Sequence, residues 1–111
     1  MGCLFGKKMK EASGELVVSA PVSRVNEVLH KYNESLPKNI KLEVTIDEPD
    51  HYAFSLDTKS AGMKYHCEND FVLSRVEGEA STRIVMTVRS TLNPKVQVKS
   101  LIDNLKKEFE N

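Results

Sequence analysis

The chain has 111 residues, enough for one domain with one modest core. Apolar residues make up 40% and charged residues 29%, the balance of a folded protein and not of a disordered one. Lysine plus arginine equals aspartate plus glutamate at 16 each, which excludes the global basic field that a general nucleic-acid binder needs to displace phosphate counterions.

Residues 1–14 read as a tail. They carry three glycines and Lys7, Lys8 and Lys10, with no sustained period, and a single α+β domain is expected over 15–111. Within the tail, Met1-Gly2-Cys3 is the sharpest signal. After loss of Met1, Gly2 would be the acceptor for myristate and Cys3 beside it for palmitate. Lys7, Lys8 and Lys10 would add attraction to an anionic membrane surface. Two acyl groups, or one with a basic cluster, make such attachment stable where one alone does not. Gly6 departs from the usual acylation pattern, which has Ser or Thr at that place.

Leu16–Ser19 is a short apolar run suited to a strand. Pro21 suits a first helical turn, where a missing N–H costs nothing. Val22, Val25, Leu29 and Tyr32 follow at helical spacing, with Val28 beside them, and the helix should stop before Pro37. Ile40, Leu42, Val44 and Ile46 alternate with polar residues, as in a half-buried strand with all four on one face. Glu48-Pro49-Asp50 marks a turn, and Tyr52, Phe54 and Leu56 alternate again. Residues 57–62 read as a polar connection ending in Gly62. Met63, Tyr65, Cys67, Phe71 and Leu73 share one face of a longer strand, on which Asn69 is the polar exception. A turn at 77–79 precedes Ile84, Met86 and Val88 on one face of the next strand. Asn93 is the expected N-cap of the last helix, whose stripe is Val98, Leu101, Ile102, Leu105 and Phe109.

The order is β-α-β-β-β-β-α. It predicts an antiparallel sheet with both helices packed on one face, because each helix has an apolar stripe to bury.

No catalytic constellation is visible. His30, His51 and His66 lie on three elements. His30 is expected to face solvent and His66 to point away from the core, and neither His51 nor His66 is predicted to meet a carboxylate. Adjacent His66 and Cys67 point to opposite strand faces and cannot easily share a metal, so no metal site and no cofactor are expected. Cys67 reads as a small hydrophobe with no activating cation beside it, and Cys3 and Cys67 as thiols of a reducing cytosol. There is no phosphate-cradling glycine loop. No apolar run approaches the ~20 residues that span a bilayer. The expectation is a noncatalytic cytoplasmic module that binds a membrane surface, a lipid or a protein partner.

Two resemblances fit this order. From about Leu16 to Phe109 the chain resembles the kinase-associated domain found at the C-terminus of microtubule-affinity-regulating kinases, with Arg83, Arg89 and Ser90 echoing that family's segment before the last helix. This resemblance implies binding of anionic phospholipid on an outer basic surface. Leu16–Val22 with Val25 and Leu29, then Ser81-Thr82-Arg83-Ile84 and the last helix, look like the SRPBCC or START-like helix-grip family. That resemblance implies an apolar ligand held between the sheet and the stripe of Val98, Leu101, Ile102, Leu105 and Phe109.

Overall fold

A computed structural model describes residues 9–78 and 80–110. Gly2, Cys3, Lys7 and Lys8 lie outside the described residues. The elements are β1 (Lys10–Val18), α1 (Val22–Glu34), β2 (Ile40–Glu48), β3 (His51–Ser60), β4 (Met63–Arg75), β5 (Thr82–Ser90) and α2 (Pro94–Glu110). The five strands form one antiparallel sheet in the order β1-β5-β4-β3-β2. The fold is α+β with the predicted element order. Val25, Val28 and Leu29 of α1 and Val98 and Leu105 of α2 join Phe71, Ile84, Met86 and Val88 of the sheet in one buried cluster.

The first strand starts well before Leu16. Lys10 to Gly14, expected to be tail, pair along β5 from Ser90 to Met86. This stretch escapes pattern reading because its inward positions, Ala12 and Gly14, are small. Their size answers to α2. A methyl group on Gly14 would stand 2.6 Å from Val98 Cγ1 and 3.0 Å from Ile102 Cδ1. The helix therefore lies closer to β1 there than any side chain would allow.

Between β1 and α1 the chain turns at Ala20-Pro21. The Pro21 carbonyl accepts hydrogen bonds from the Arg24 and Val25 amides at 3.0 and 3.1 Å, starting the helix. The buried Thr82 hydroxyl donates to the Ala20 carbonyl at 2.7 Å and ties this corner to β5.

β2 does not keep the simple alternation of its sequence. Val44 lies opposite Phe54 but Ile46 lies opposite Ala53, so Thr45 is an extra residue in a β-bulge. Phe54 and Ala53 point to opposite faces, and Val44 and Ile46 therefore do too. The bulge also puts Asp47 opposite Tyr52, on the helical side of the sheet.

The connection expected over 57–62 is shorter. Asp57, Thr58 and Lys59 continue β3 opposite His66, Tyr65 and Lys64. Only Ala61 and Gly62 turn the chain, at φ 51° and 80°. Two consecutive positive φ values are what a two-residue hairpin turn matching the twist of its strands requires. Asn93 caps α2 as expected, its side-chain oxygen accepting from the Lys95 amide at 3.2 Å.

A cleft between the last helix and the sheet as candidate functional site

Side chains on the helical face of the sheet run in rows set by strand register. One row is Leu42, Leu56, Cys67 and Ser90; the next is Val44, Phe54, Asn69, Val88 and Ala12. Over β1 and β5 the helix lies close to the sheet, with Val98 and Ile102 against Gly14. Over β3 and β4 the helix stands off, and two cavities open beneath Leu101.

The inner cavity, of about 280 Å³, lies among Leu29 and Tyr32 of α1, Leu36 just after it, Phe54, Leu56 and Phe71 of the sheet, and Leu101 and Leu105 of α2. The outer one, of about 510 Å³, runs from Leu56 and Cys67 past Gln97 to Leu92 and Val96. Leu56, Asn69 and Leu101 line both, so the two adjoin. Leu92 and Val96 are 46% and 61% exposed and form an apolar lip.

Aromatic packing makes the floor. Phe54 stacks on Phe71 with centroids 5.9 Å apart, and Tyr52 leans on Phe54 at 5.3 Å. Tyr32 of α1 donates from its hydroxyl to the Asn104 carbonyl of α2 at 3.3 Å, which fixes one helix against the other at the inner end. Burial pushes the Tyr32 and Tyr52 phenols above their ordinary range, so both are neutral, and the Tyr52 hydroxyl accepts from Asn33 Nδ2 at 2.7 Å.

A small polar cluster sits in the cleft. Asn69 Nδ2 donates to Cys67 Sγ at 3.4 Å, and the Cys67 thiol donates to Gln97 Oε1 at 3.3 Å. Burial is the main reason the Cys67 thiol is raised above its usual value, with Asn69 and Ser90 opposing it. The thiol is therefore protonated at neutral pH and is a weak donor, not a nucleophile.

The stripe predicted on the last helix divides. Leu101 and Leu105 line the inner cavity, and Leu105 is also fully buried. Val98 is buried and Ile102 half-buried where they meet Gly14, and Phe109 packs at the edge of the core. Lys10 is an exposed residue at the start of β1. Most of the lining was not singled out as ligand contacts in the sequence, Leu56, Gln97 and Tyr32 among it. Asn69 was visible as a polar residue on an apolar face, which was the available signal.

Of the histidines, His30 departs from its expected place. His30 is half-buried rather than solvent-facing. Its ring stacks on Tyr52 at 4.2 Å, Nδ1–H donates to the Asn26 carbonyl at 2.7 Å, and Nε2 meets Asp47 at 3.0 Å. The backbone bond to Asn26 chiefly raises its pKa, burial opposes this, and Asp47 adds to it. His66 does point to the outer face, and there meets Asp57 at 2.7 Å and Glu68 at 3.1 Å, which raise its pKa in that order. His51 bonds Asp70. All three histidines thus meet carboxylates: register brings Asp57 to His66 and Asp70 to His51 across β3 and β4, and the packing of α1 brings His30 to Asp47 of β2. Among the described residues, no group of three or more His, Cys, Asp and Glu side chains is arranged to hold a metal. No described helix is long and apolar enough to cross a membrane.

No family model matches the sequence, and no curated protein matches it. Solved structures do match the fold. A structural-genomics target from Deinococcus radiodurans is 12% identical, with 91% of this chain and 95% of that one covered at a TM-score of 0.63. A START superfamily protein from Mycobacterium smegmatis is 13% identical, covering 90% and 97%, at 0.52. This chain therefore has a START-like helix-grip fold. The resemblance to the kinase-associated domain is not supported; it rested on an element order that both folds share. The Zhui aromatase/cyclase from a Streptomyces species also matches, at 18% identity over 75% of this chain and 68% of that one, with a TM-score of 0.41. It is an enzyme by name. The expectation of a noncatalytic chain does not stand: a START-like fold does not by itself decide catalysis. The premise behind that expectation also fails, since both His51 and His66 meet carboxylates.

Proposed function

We propose that this chain is a carrier of a small apolar ligand, held in the cleft between α2 and the sheet. The observation that supports it is the pair of adjoining cavities beneath Leu101, walled by aliphatic and aromatic side chains from α1, β3, β4 and α2. Ligand sites are commonly concave and mostly apolar, with a few placed polar groups, and this cleft has that make-up. The START-like fold agrees with the reading. Leu101 and Leu105 are the contacts proposed from the helix, with Val98, Ile102 and Phe109 holding that helix in place.

The test is a fluorescence titration of the full chain with Nile red, a neutral apolar dye. Saturable, blue-shifted emission is expected, weakened at least ~10-fold by Leu101→Arg, since a charge placed in an apolar site is strongly disfavoured. No saturable binding to the unaltered chain would remove the proposal.

A membrane role through acylation of Gly2 and Cys3, aided by Lys7, Lys8 and Lys10, is a separate proposal that rests on sequence. Intact mass of the protein from its native cells, with or without an added acyl group, decides it.

A further inference from the structure

Asn69 is an unusual choice for its place. It is 6% exposed, and its row across the sheet is otherwise Val44, Phe54, Val88 and Ala12. A valine or leucine there would pack without a polar group to satisfy. Yet the carboxamide has two N–H donors and an oxygen that can accept twice. One N–H reaches the Cys67 sulfur at 3.4 Å, and sulfur is a weak acceptor. No other described residue takes or gives a hydrogen bond to this carboxamide. It opens instead onto both cavities at the point where they join.

The charges around the cleft narrow what it can meet. Neither cavity is lined by Lys, Arg, Asp or Glu. His66 touches the outer cavity, but its ring is engaged by Asp57 and Glu68 on the opposite face of the sheet. A carboxylate or phosphate carried into this cleft would find no cation, and an unpaired buried charge is strongly disfavoured. A carbonyl or hydroxyl would find a carboxamide able to donate and accept.

We propose that Asn69 is the specificity-determining residue of this cleft, and that it selects apolar molecules bearing one neutral carbonyl or hydroxyl group over the corresponding acids. Gln97 acts through Cys67 as a positioning residue: by accepting the thiol proton it turns the sulfur's lone pairs toward Asn69 and orients the carboxamide. This inference rests on the carrier reading and names its ligand class.

The experiment is competition against bound Nile red at pH 8 with three probes of equal chain length: 1-dodecanol, 2-dodecanone and dodecanoate. The alcohol and ketone should displace the dye at roughly 10-fold lower concentration than the acid, the effect of about one net hydrogen bond plus an unpaired charge avoided. In Asn69→Leu, which suits the apolar row and should fold, the alcohol and ketone should lose about 10-fold and the discrimination should shrink. Asn69→Asp, nearly the same shape, should reject dodecanoate further by placing like charges together. An unaltered chain that binds Nile red but takes all three probes equally, or prefers the acid, would overturn the inference and leave the carrier reading standing. So would an Asn69→Leu variant that keeps the full preference. Failure of the unaltered chain to bind Nile red would overturn both.

Discussion

The two flanks of α2 meet the same sheet in opposite ways. On one flank Val98 and Ile102 press onto β1 and β5, where Ala12 and Gly14 clear the way. On the other, Gln97, Leu101 and Asn104 stand above β3 and β4 with cavities beneath them. Both flanks belong to one amphipathic helix, and Leu105 lies between them, fully buried yet lining the inner cavity. The difference lies in the opposing strands, which decide how near the helix can come. A hydrophobic stripe therefore marks a face that must be covered, without saying whether protein or ligand covers it.

The largest effect should come from the most buried point of the helix, where the two flanks meet. Leu105 is 0% exposed, and Leu105→Ala should cost about 3 kcal/mol in urea denaturation, from lost transfer energy and a new cavity. Leu101→Ala should cost clearly less, because Leu101 is only half-buried, while weakening Nile red. Equal costs for the two would dissolve the contrast between the flanks.

A smaller effect is expected from Gly14→Val. Valine in a strand gains up to ~1 kcal/mol in backbone terms over glycine. Overpacking against Val98 costs roughly 1–3 kcal/mol, and Val98 cannot easily turn aside because a β-branched side chain on a helix has one strongly preferred rotamer. The net loss should be about 1 kcal/mol, with α2 displaced toward the cleft. An unchanged midpoint would mean that the helix is not held at Gly14.

The smallest effect concerns the α1 side of the cleft. His30 joins α1 to Asp47 of β2 and stacks beneath the cleft floor on Tyr52. Its folded pKa lies above the ordinary 6.5, and so does that of His66. Each therefore contributes stability that is fully present below about pH 6.5 and is lost as pH rises through the raised value. Both rings are about a third exposed, which keeps the contribution modest through solvent screening. Melting temperature should fall slightly between pH 6 and 8, and less so in His30→Gln. Ring proton shifts followed by NMR should titrate above 6.5; a titration below it would reverse the sign.

Much of the architecture was legible in the sequence. Period-two runs at Tyr52–Leu56, Cys67–Leu73 and Ile84–Val88, and period-3.6 runs after Pro21 and Pro94, determined the element order, because side-chain direction follows backbone geometry. Asn93 announced its helix start, and Asn69 stood out as polar on an apolar face. Other features needed the folded chain. Residues 10–14 became a strand because β5 offered hydrogen bonds and α2 demanded small side chains, neither of which is local. The bulge at Thr45 turned Ile46 to one face and Asp47 to the other, and so gave His30 its partner. The cleft itself is a matter of distance between a helix and strands far from it in sequence. The pattern alone determined which faces are apolar; how near those faces come, and what space remains between them, was decided only by tertiary packing, since separation depends on the side chains of both partners at once.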